Sequence, residues 1–389
     1  MIQAGRSRKE KVEMAIEIVD KYTNELIDRS TVDTPIWNIE KIREGKKSSW
    51  DYIDGCMIMA FFELYKVTKN QKYADFADYY VDYRVKEDGT IVGYDKEELN
   101  LDNINAGKNL FTLYDLTGKE KYAKALGKIY EQIEEQPRTK EGNFWHKLIY
   151  PEQVWLDGLY MSLPFYMEYD NRFLSKAHYE DIFHMFFEVE KNLKDNKSGL
   201  YYHAYDSSKK MFWCDKETGL SENFWLRSLG WFGMAMLDTL SLADHEYKDY
   251  AHLQTMFQNF IDAMLQFQSE SGMWYQVPNF PEREENYLET SGSAIMAYCI
   301  LKGVRLGILP ESYKAAGEKA FDDICKRYLS TVEGEMSLGG ICLVAGLGPD
   351  NNRRRDGSFA YYMSEPIVKD DAKGTAPFLF AYAEMCMNK

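Results

Sequence analysis

Internal repetition constrains this chain more than any single motif. Five segments share one pattern: an aliphatic residue, a polar one, small residues, then an apolar run. They are "IDGCMIMAFFELY" from Ile53, "INAGKNLFTLYDL" from Ile104, "LDGLYMSLPFYME" from Leu156, "LRSLGWFGMAMLD" from Leu226 and "LETSGSAIMAYCI" from Leu288. A looser sixth, "GTAPFLFAYAEM" from Gly374, closes the chain. Successive starts lie 51, 52, 70, 62 and 86 residues apart. More polar stretches follow, each with an apolar stripe. One carries Tyr73, Phe76, Tyr80 and Tyr83; "TGKEKYAKALGKIYEQI" repeats its opening; a third aligns Tyr313, Ala316, Ala320, Ile324 and Tyr328. That spacing follows the helical period and not the strand period of two.

The unit is therefore a helical hairpin, with one helix apolar nearly all round and a partner that faces water. Six hairpins predict an all-α, double-layered ring, an (α/α)6 barrel, formed by residues 1–389 as a single domain. An open solenoid has nearly the same period, but the count of six and the lack of a polar capping repeat favour closure. Gly55, Gly107, Gly158, Gly230 and Gly292 fall early in the inner helices, where small residues permit close approach. The polar member of each repeat, Asp54, Asn105, Asp157, Arg227 or Glu289, sits at a helix start. In a closed ring these starts meet at one mouth, where unpaired helix amides favour carboxylates. Each alone also reads as an ordinary helix cap.

A formal net charge of −15 argues against a nucleic-acid partner. No apolar stretch reaches the ~18 residues of a membrane span. The opening "MIQAGRSRKEKVEMAIEIVDKYTN" lacks the apolar core of a signal peptide, so the expected location is cytoplasmic; a chain whose signal had been removed would read the same. Cys56, Cys214, Cys299, Cys325, Cys342 and Cys386 are far apart, without a CxxC, and are expected to be buried free thiols. The composition leaves the oligomeric state open.

Two constellations could carry chemistry. Asp102 in "NLDNINAGK" and Asp157 in "VWLDGLYM" come from consecutive repeats and should approach the same mouth. Two neighbouring acids push their titrations apart, so one can keep its proton near neutral pH, with Trp145 and Trp155 as an apolar wall. The second constellation is cationic and aromatic: His146 and Lys147 in "FWHK", His203 in "GLYYHAYD", and Trp225, Arg227 and Trp231 in "NFWLRSLGWF". Tryptophan faces can stack on sugars, and arginine can grip a carboxylate with two parallel hydrogen bonds. Core filling is the competing reading of both tryptophans. His178 and His184, or His245 and His252, lack the i, i+4 spacing of a zinc pair. There is no phosphate-binding loop and no G-x-S-x-G elbow, so neither a metal nor a cofactor is expected.

On these residues the chain resembles the unsaturated rhamnogalacturonyl hydrolases, glycoside hydrolase family 105. The likeness rests on "LDNINAGK", "FWHKLIYPEQVWLDGLYM", "GLYYHAYD", "FWLRSLGW", "YLETSGSA" and "VAGLG" through "DGSFAYYMSEPIVKDDAKG", roughly residues 50 to 380. It implies the same barrel, no metal or redox cofactor, and a substrate ending in a 4,5-unsaturated uronic acid left by a polysaccharide lyase. Such enzymes hydrate the enol ether: a proton goes to C4, water attacks C5, and the hemiketal opens to release the next sugar. Carried over by motif, Asp157 would protonate C4 and then activate the water. Asp102 would bind substrate hydroxyls and help keep Asp157 protonated. His146, His203 and Arg227 would line the unsaturated ring, Trp225 and Trp231 would wall it, and Lys147 and Tyr52 would stand at the rim. "LRSLGW" departs from the family's "RGNGW" by placing Leu229 where a polar residue is expected. The segment from Ser330 to Asp371 is expected to cross the mouth, its "NRRRDG" being either a solvated turn or a contact to an acidic sugar. The alternatives are an unsaturated glucuronyl hydrolase acting on glycosaminoglycan fragments, an inverting glycosidase using direct displacement, an epimerase-like isomerase using His146 and His203, and a silent sugar-binding relative.

Overall fold

Six inner helices span Tyr52–Thr68, Lys108–Thr117, Leu156–Phe173, Leu226–Leu242, Thr290–Arg305 and Ala372–Met387. The structure is a computed structural model that describes residues 8–387; Met1–Ser7, the start of the polar lead, lies outside the described residues. Ala372–Met387 packs on both Thr290–Arg305 and Tyr52–Thr68, so the inner layer closes on itself. The chain is an (α/α)6 barrel, not a solenoid. Glycines let the inner helices touch: a Cβ on Gly292 would stand 2.3 Å from Leu226 Cγ, and one on Gly230 would stand 2.9 Å from Ile295 Cγ2. The second inner helix is broken. A short helix, Leu101–Asn105, precedes it, and the Asn109 amide bridges the gap by donating to Gly55 O at 3.0 Å and Ala106 O at 3.1 Å.

Outer helices Gln71–Asp82, Glu120–Glu135, Tyr179–Leu193, Tyr250–Gln266 and Lys314–Tyr328 each follow their inner partner. Their stripes face inward as expected, except that Tyr83 ends its helix and is exposed. The sixth outer helix breaks the order of the repeat. Arg8–Asp28, from the other end of the chain, packs on Ala372–Met387. The Tyr22 hydroxyl donates to Asp370 Oδ1 at 2.7 Å and lies 3.3 Å from Thr375 Oγ1.

Five of the six junctions between neighbouring hairpins are also stitched at the mouth. The first N–H of an inner-layer helix donates to a carbonyl in the loop that leads into the following one: Leu101 to His146, Leu156 to His203, Leu226 to Gln276, Thr290 to Gly340 and Ala372 to Trp37, all at 2.8–3.1 Å. These bonds satisfy amides that a helix start leaves unpaired. Among the five polar residues expected at helix starts, Asp54, Asn105 and Glu289 have other structural partners. Asp54 accepts from Trp37, Asn38, Ser48 and Tyr80 and is buried. The Asn105 amide meets Cys56 Sγ at 3.3 Å. Glu289 caps its helix through Ser291 and Gly292 and accepts from Cys342 N at 3.0 Å.

Short antiparallel ribbons finish the mouth, one pairing Gln153–Trp155 with Ala204–Asp206 and another pairing Ile341–Cys342 with Ile367–Val368. All six cysteines are free, four of them buried. Among the described residues no helix is long and apolar enough to cross a membrane.

Candidate active site

The ribbon at Gln153–Trp155 runs straight into the Leu156–Phe173 helix, so Asp157 lies in the first helical turn. Its register pairs Trp155 with Ala204 and so places His203 beside that turn. Asp157 Oδ2 lies 3.2 Å from His203 Nε2, although the two are too poorly aligned to count as a hydrogen bond. His203 is fully buried, and its Nδ1 lies 2.8 Å from the Tyr362 hydroxyl. Burial pushes the Tyr362 phenol well above its ordinary range, so it keeps its proton and can donate a hydrogen bond to Nδ1. With that donation the imidazole hydrogen sits on Nε2, on the side of Asp157.

Asp102 reaches the same place from the Leu101–Asn105 helix. Lys147 Nζ contacts its Oδ2 at 2.6 Å, and His146 Nε2 stands 3.7 Å from Oδ1. Burial disfavours the Asp102 charge, but Lys147 and then His146 outweigh it, and the carboxyl sits below its usual range. Burial likewise opposes the Lys147 charge, and Asp102 overrides it, leaving the ammonium above its ordinary range. Burial pushes His146 down to about 4, against the pull of Asp102, so the ring is neutral near pH 7. His146 stacks on Trp155 at 4.6 Å and lies close enough to both aspartates to feel their charges. Gly158 makes room for it, since a Cβ there would meet His146 Nδ1 at 2.9 Å. Tyr52 joins this group, with Glu40, Asp102 and Arg227 as its charged neighbours.

The structure thus gathers Asp102, Asp157, His146, Lys147, His203 and Tyr52. Three expectations need correction. Arg227 is buried, and its guanidinium is committed to Ser291 Oγ at 3.2 Å and to the carbonyls of Cys342 and Leu343. Through these bonds its guanidinium helps to fix the crossing segment. Trp225 is 1% exposed; it lies 4.6 Å from the Arg227 guanidinium and 4.9 Å from His203, so it supports those groups and offers no open face to a sugar. Trp231 lies deeper on the same helix and stacks on Tyr160 at 5.0 Å, in the barrel core and away from the carboxylates.

Sequence reasoning missed Tyr362, and also a buried Lys373 that contacts Glu40 and lies 3.0 Å from Asp371, beneath the mouth. The signal for Tyr362 lay in "FAYYMSEP", but nothing local pairs it with a histidine 159 residues away. The segment from Ser330 to Asp371 does cross the mouth. It carries Tyr362 to His203, the carbonyls of Cys342 and Leu343 to Arg227, and Gly346 to the edge of Trp155.

A helical ring with two carboxylates, two histidines and a buried cation at its mouth is the setting of a carbohydrate hydrolase. The profile of the family described as "Glycosyl Hydrolase Family 88" matches residues 19–389. A family 105 glycoside hydrolase from C. acetobutylicum ATCC 824 has a solved structure 44% identical in sequence, with a TM-score of 0.86 over 94% of this chain and 97% of that one. The unsaturated rhamnogalacturonyl hydrolase YesR of Bacillus subtilis is 26% identical over 72% of this chain and 78% of its own length. An unsaturated glucuronyl hydrolase from Bacillus sp. GL1 shares the fold at a TM-score of 0.61 and 15% identity, over 87% of each chain. The chain is a glycoside hydrolase and belongs to families 88 and 105, to which its fold and its relatives assign it.

Proposed function

We propose that this protein is an unsaturated rhamnogalacturonyl hydrolase, which hydrates the C4–C5 double bond of an unsaturated uronate at the non-reducing end of lyase-generated pectin fragments. The observation that carries the reading is the division of labour between the two aspartates. Asp102 is ionised and held by Lys147. Asp157 has one oxygen 3.2 Å from His203 Nε2, and we read the other as the one that faces a sugar. The family membership and the name of the Bacillus subtilis relative supply the substrate class.

In this mechanism Asp157 gives its proton to C4, and positive charge develops at C5, shared with the ring oxygen. The aspartate, now a carboxylate, takes a proton from a water as that water bonds to C5. The His203 N–H supports the carboxylate at that moment, as a preorganised donor aimed at developing charge. The C5 hemiketal then opens, C1 releases the next sugar, and one water has been consumed. Asp102 accepts from substrate hydroxyls, while Tyr52 and His146 help to line the ring. No step calls on a metal.

The test follows the ultraviolet band of the conjugated enol ether, using unsaturated uronyl–rhamnose and glycosaminoglycan disaccharides. Wild type should erase the band on the rhamnose-linked substrate. Asp157→Asn should lower the rate at least ~10²-fold, the lower range for general acid–base catalysis, with the fold intact. Near-normal turnover by that variant would overturn the role of Asp157. Faster turnover of the glycosaminoglycan disaccharide would reassign the substrate.

A further inference from the structure

Lys108 closes the "LDNINAGK" stretch but takes no part in the steps above. Groups on four other inner helices act on its amine: Cys56 from the first, Glu168 from the third, Asp238 from the fourth and Lys302 from the fifth. The amine therefore lies near the axis of the ring. Burial pushes it down to about 7, against the pull of Asp238 and Cys56, so the position is a costly one for a lysine. Its contacts show what holds it there. Nζ donates to Tyr160 O at 2.9 Å and stands 3.5 Å from the centre of the Tyr160 ring, which itself stacks on Trp231.

That carbonyl is open because of a proline. Pro164 lies inside the Leu156–Phe173 helix. It has no N–H, so the carbonyl four residues before it, that of Tyr160, lacks its ordinary helical donor. Lys108 supplies one from the neighbouring helix. The bond joins the two segments that carry the aspartates: Lys108 follows Asp102 by six residues, and Tyr160 follows Asp157 by three, less than one helical turn. The next residue, Asn109, reaches the other way, to Gly55 O on the first inner helix at 3.0 Å. Two adjacent side chains just past the break thus fasten the second inner helix to both its neighbours.

We propose that Lys108 is a positioning residue for the hydration reaction, its bond to Tyr160 O holding the Asp102 segment in fixed register with Asp157. This inference rests on the hydration reading above. The cationic groups that act on the Asp102 charge are Lys147 and His146, so Lys108 works through geometry and not through its field. Asp157 must aim at C4 while Asp102 grips hydroxyls of the same substrate, and a misplacement of about 1 Å at such a site can cost ~10²-fold in rate. The loss should fall on kcat, because proton transfer depends on alignment more steeply than ground-state binding does.

The decisive measurement makes Lys108→Met in two chains, wild type and Pro164→Ala. Kinetics follow the ultraviolet band of the unsaturated uronyl–rhamnose disaccharide, or of the glycosaminoglycan one if wild type prefers it, well below each Tm. In the wild-type chain Lys108→Met should lower kcat about 10–100-fold and change KM less than about threefold. In the Pro164→Ala chain the backbone N–H at 164 again serves Tyr160 O, so the same substitution should cost as much in kcat but less in Tm. A kcat within about twofold of the parent chain, or a loss that vanishes in the Pro164→Ala chain, would overturn the assignment while leaving hydration standing. A wild type inert on both disaccharides would remove the hydration reading itself, and this inference with it. Should Lys108→Met fold poorly in the wild-type chain, the Pro164→Ala pair alone decides, by the presence or absence of the loss in kcat.

Discussion

At the scale of single residues, the site depends on a half-buried lysine and a buried tyrosine that hold its charges in place. Lys147 is one. Without it, Asp102 keeps the burial that disfavours its charge and loses the ammonium that outweighs it. The sign follows. In the wild type the depressed Asp102 pKa contributes stability at pH values above its unfolded range, and that contribution is lost only as pH falls through the folded pKa. In Lys147→Met the folded pKa rises, so Asp102 begins to take up a proton at higher pH. The acid limb of the kcat/KM profile should move upward by about one pH unit or more, worth ~1.4 kcal/mol per unit. Tyr362 is the other. In Tyr362→Phe nothing donates to His203 Nδ1, and the ring is free to place its hydrogen there instead of facing Asp157. We expect kcat to fall about tenfold, the worth of one hydrogen bond of ~1.4 kcal/mol. The 15N shifts of His203 should change from the Nε2–H form to a mixture of tautomers.

At the scale of elements, the hairpins were legible because burial imposes a 3.6-residue period on every amphipathic helix, and the inner helices betray themselves by small residues. The role of each helix-start polar residue was not legible. Asp54, Asp157 and Glu289 give the same local signal. What separates them is which loop covers each one: Trp37, Asn38, Ser48 and Tyr80 enclose Asp54, while Asp157 has His203 Nε2 3.2 Å away and no side-chain hydrogen bond among the described residues. The backbone acceptors of Arg227 were hidden for the same reason, lying 115 and 116 residues away. The glycines make a prediction at this scale. Gly292→Ala brings a methyl group to 2.3 Å from Leu226 Cγ and should destabilise the protein by ~1–3 kcal/mol through overpacking. Urea titration should show a lower midpoint with an unchanged slope. Leu226→Ala in the same chain should cost less than its effect in the wild-type background, because the two side chains meet.

For the whole molecule, closure is the governing fact. The sixth outer helix could not be read from the order of the repeats, because a ring pairs its ends by geometry and not by proximity in the chain. Deleting residues 1–28 should bare the outer face of Ala372–Met387 and remove the Tyr22 contacts with Asp370 and Thr375. We expect a large drop in Tm and binding of a hydrophobic dye. Because five of the six loops at the mouth are bonded to a neighbouring helix start, the intact chain should unfold as one unit, with calorimetric and fluorescence transitions coinciding. Two separated transitions would mean that the ring divides into independent parts.

The joining of the first helix to the last also sets the order in which the protein can be completed in a cell. The partners of Tyr22 are synthesised as much as 353 residues after it, roughly 20–70 s later at ordinary rates of translation. Throughout that interval the first helix must wait on the ribosome with its contact face uncovered. The earlier segment waits for the later one, so a chain released early leaves the barrel open at the seam.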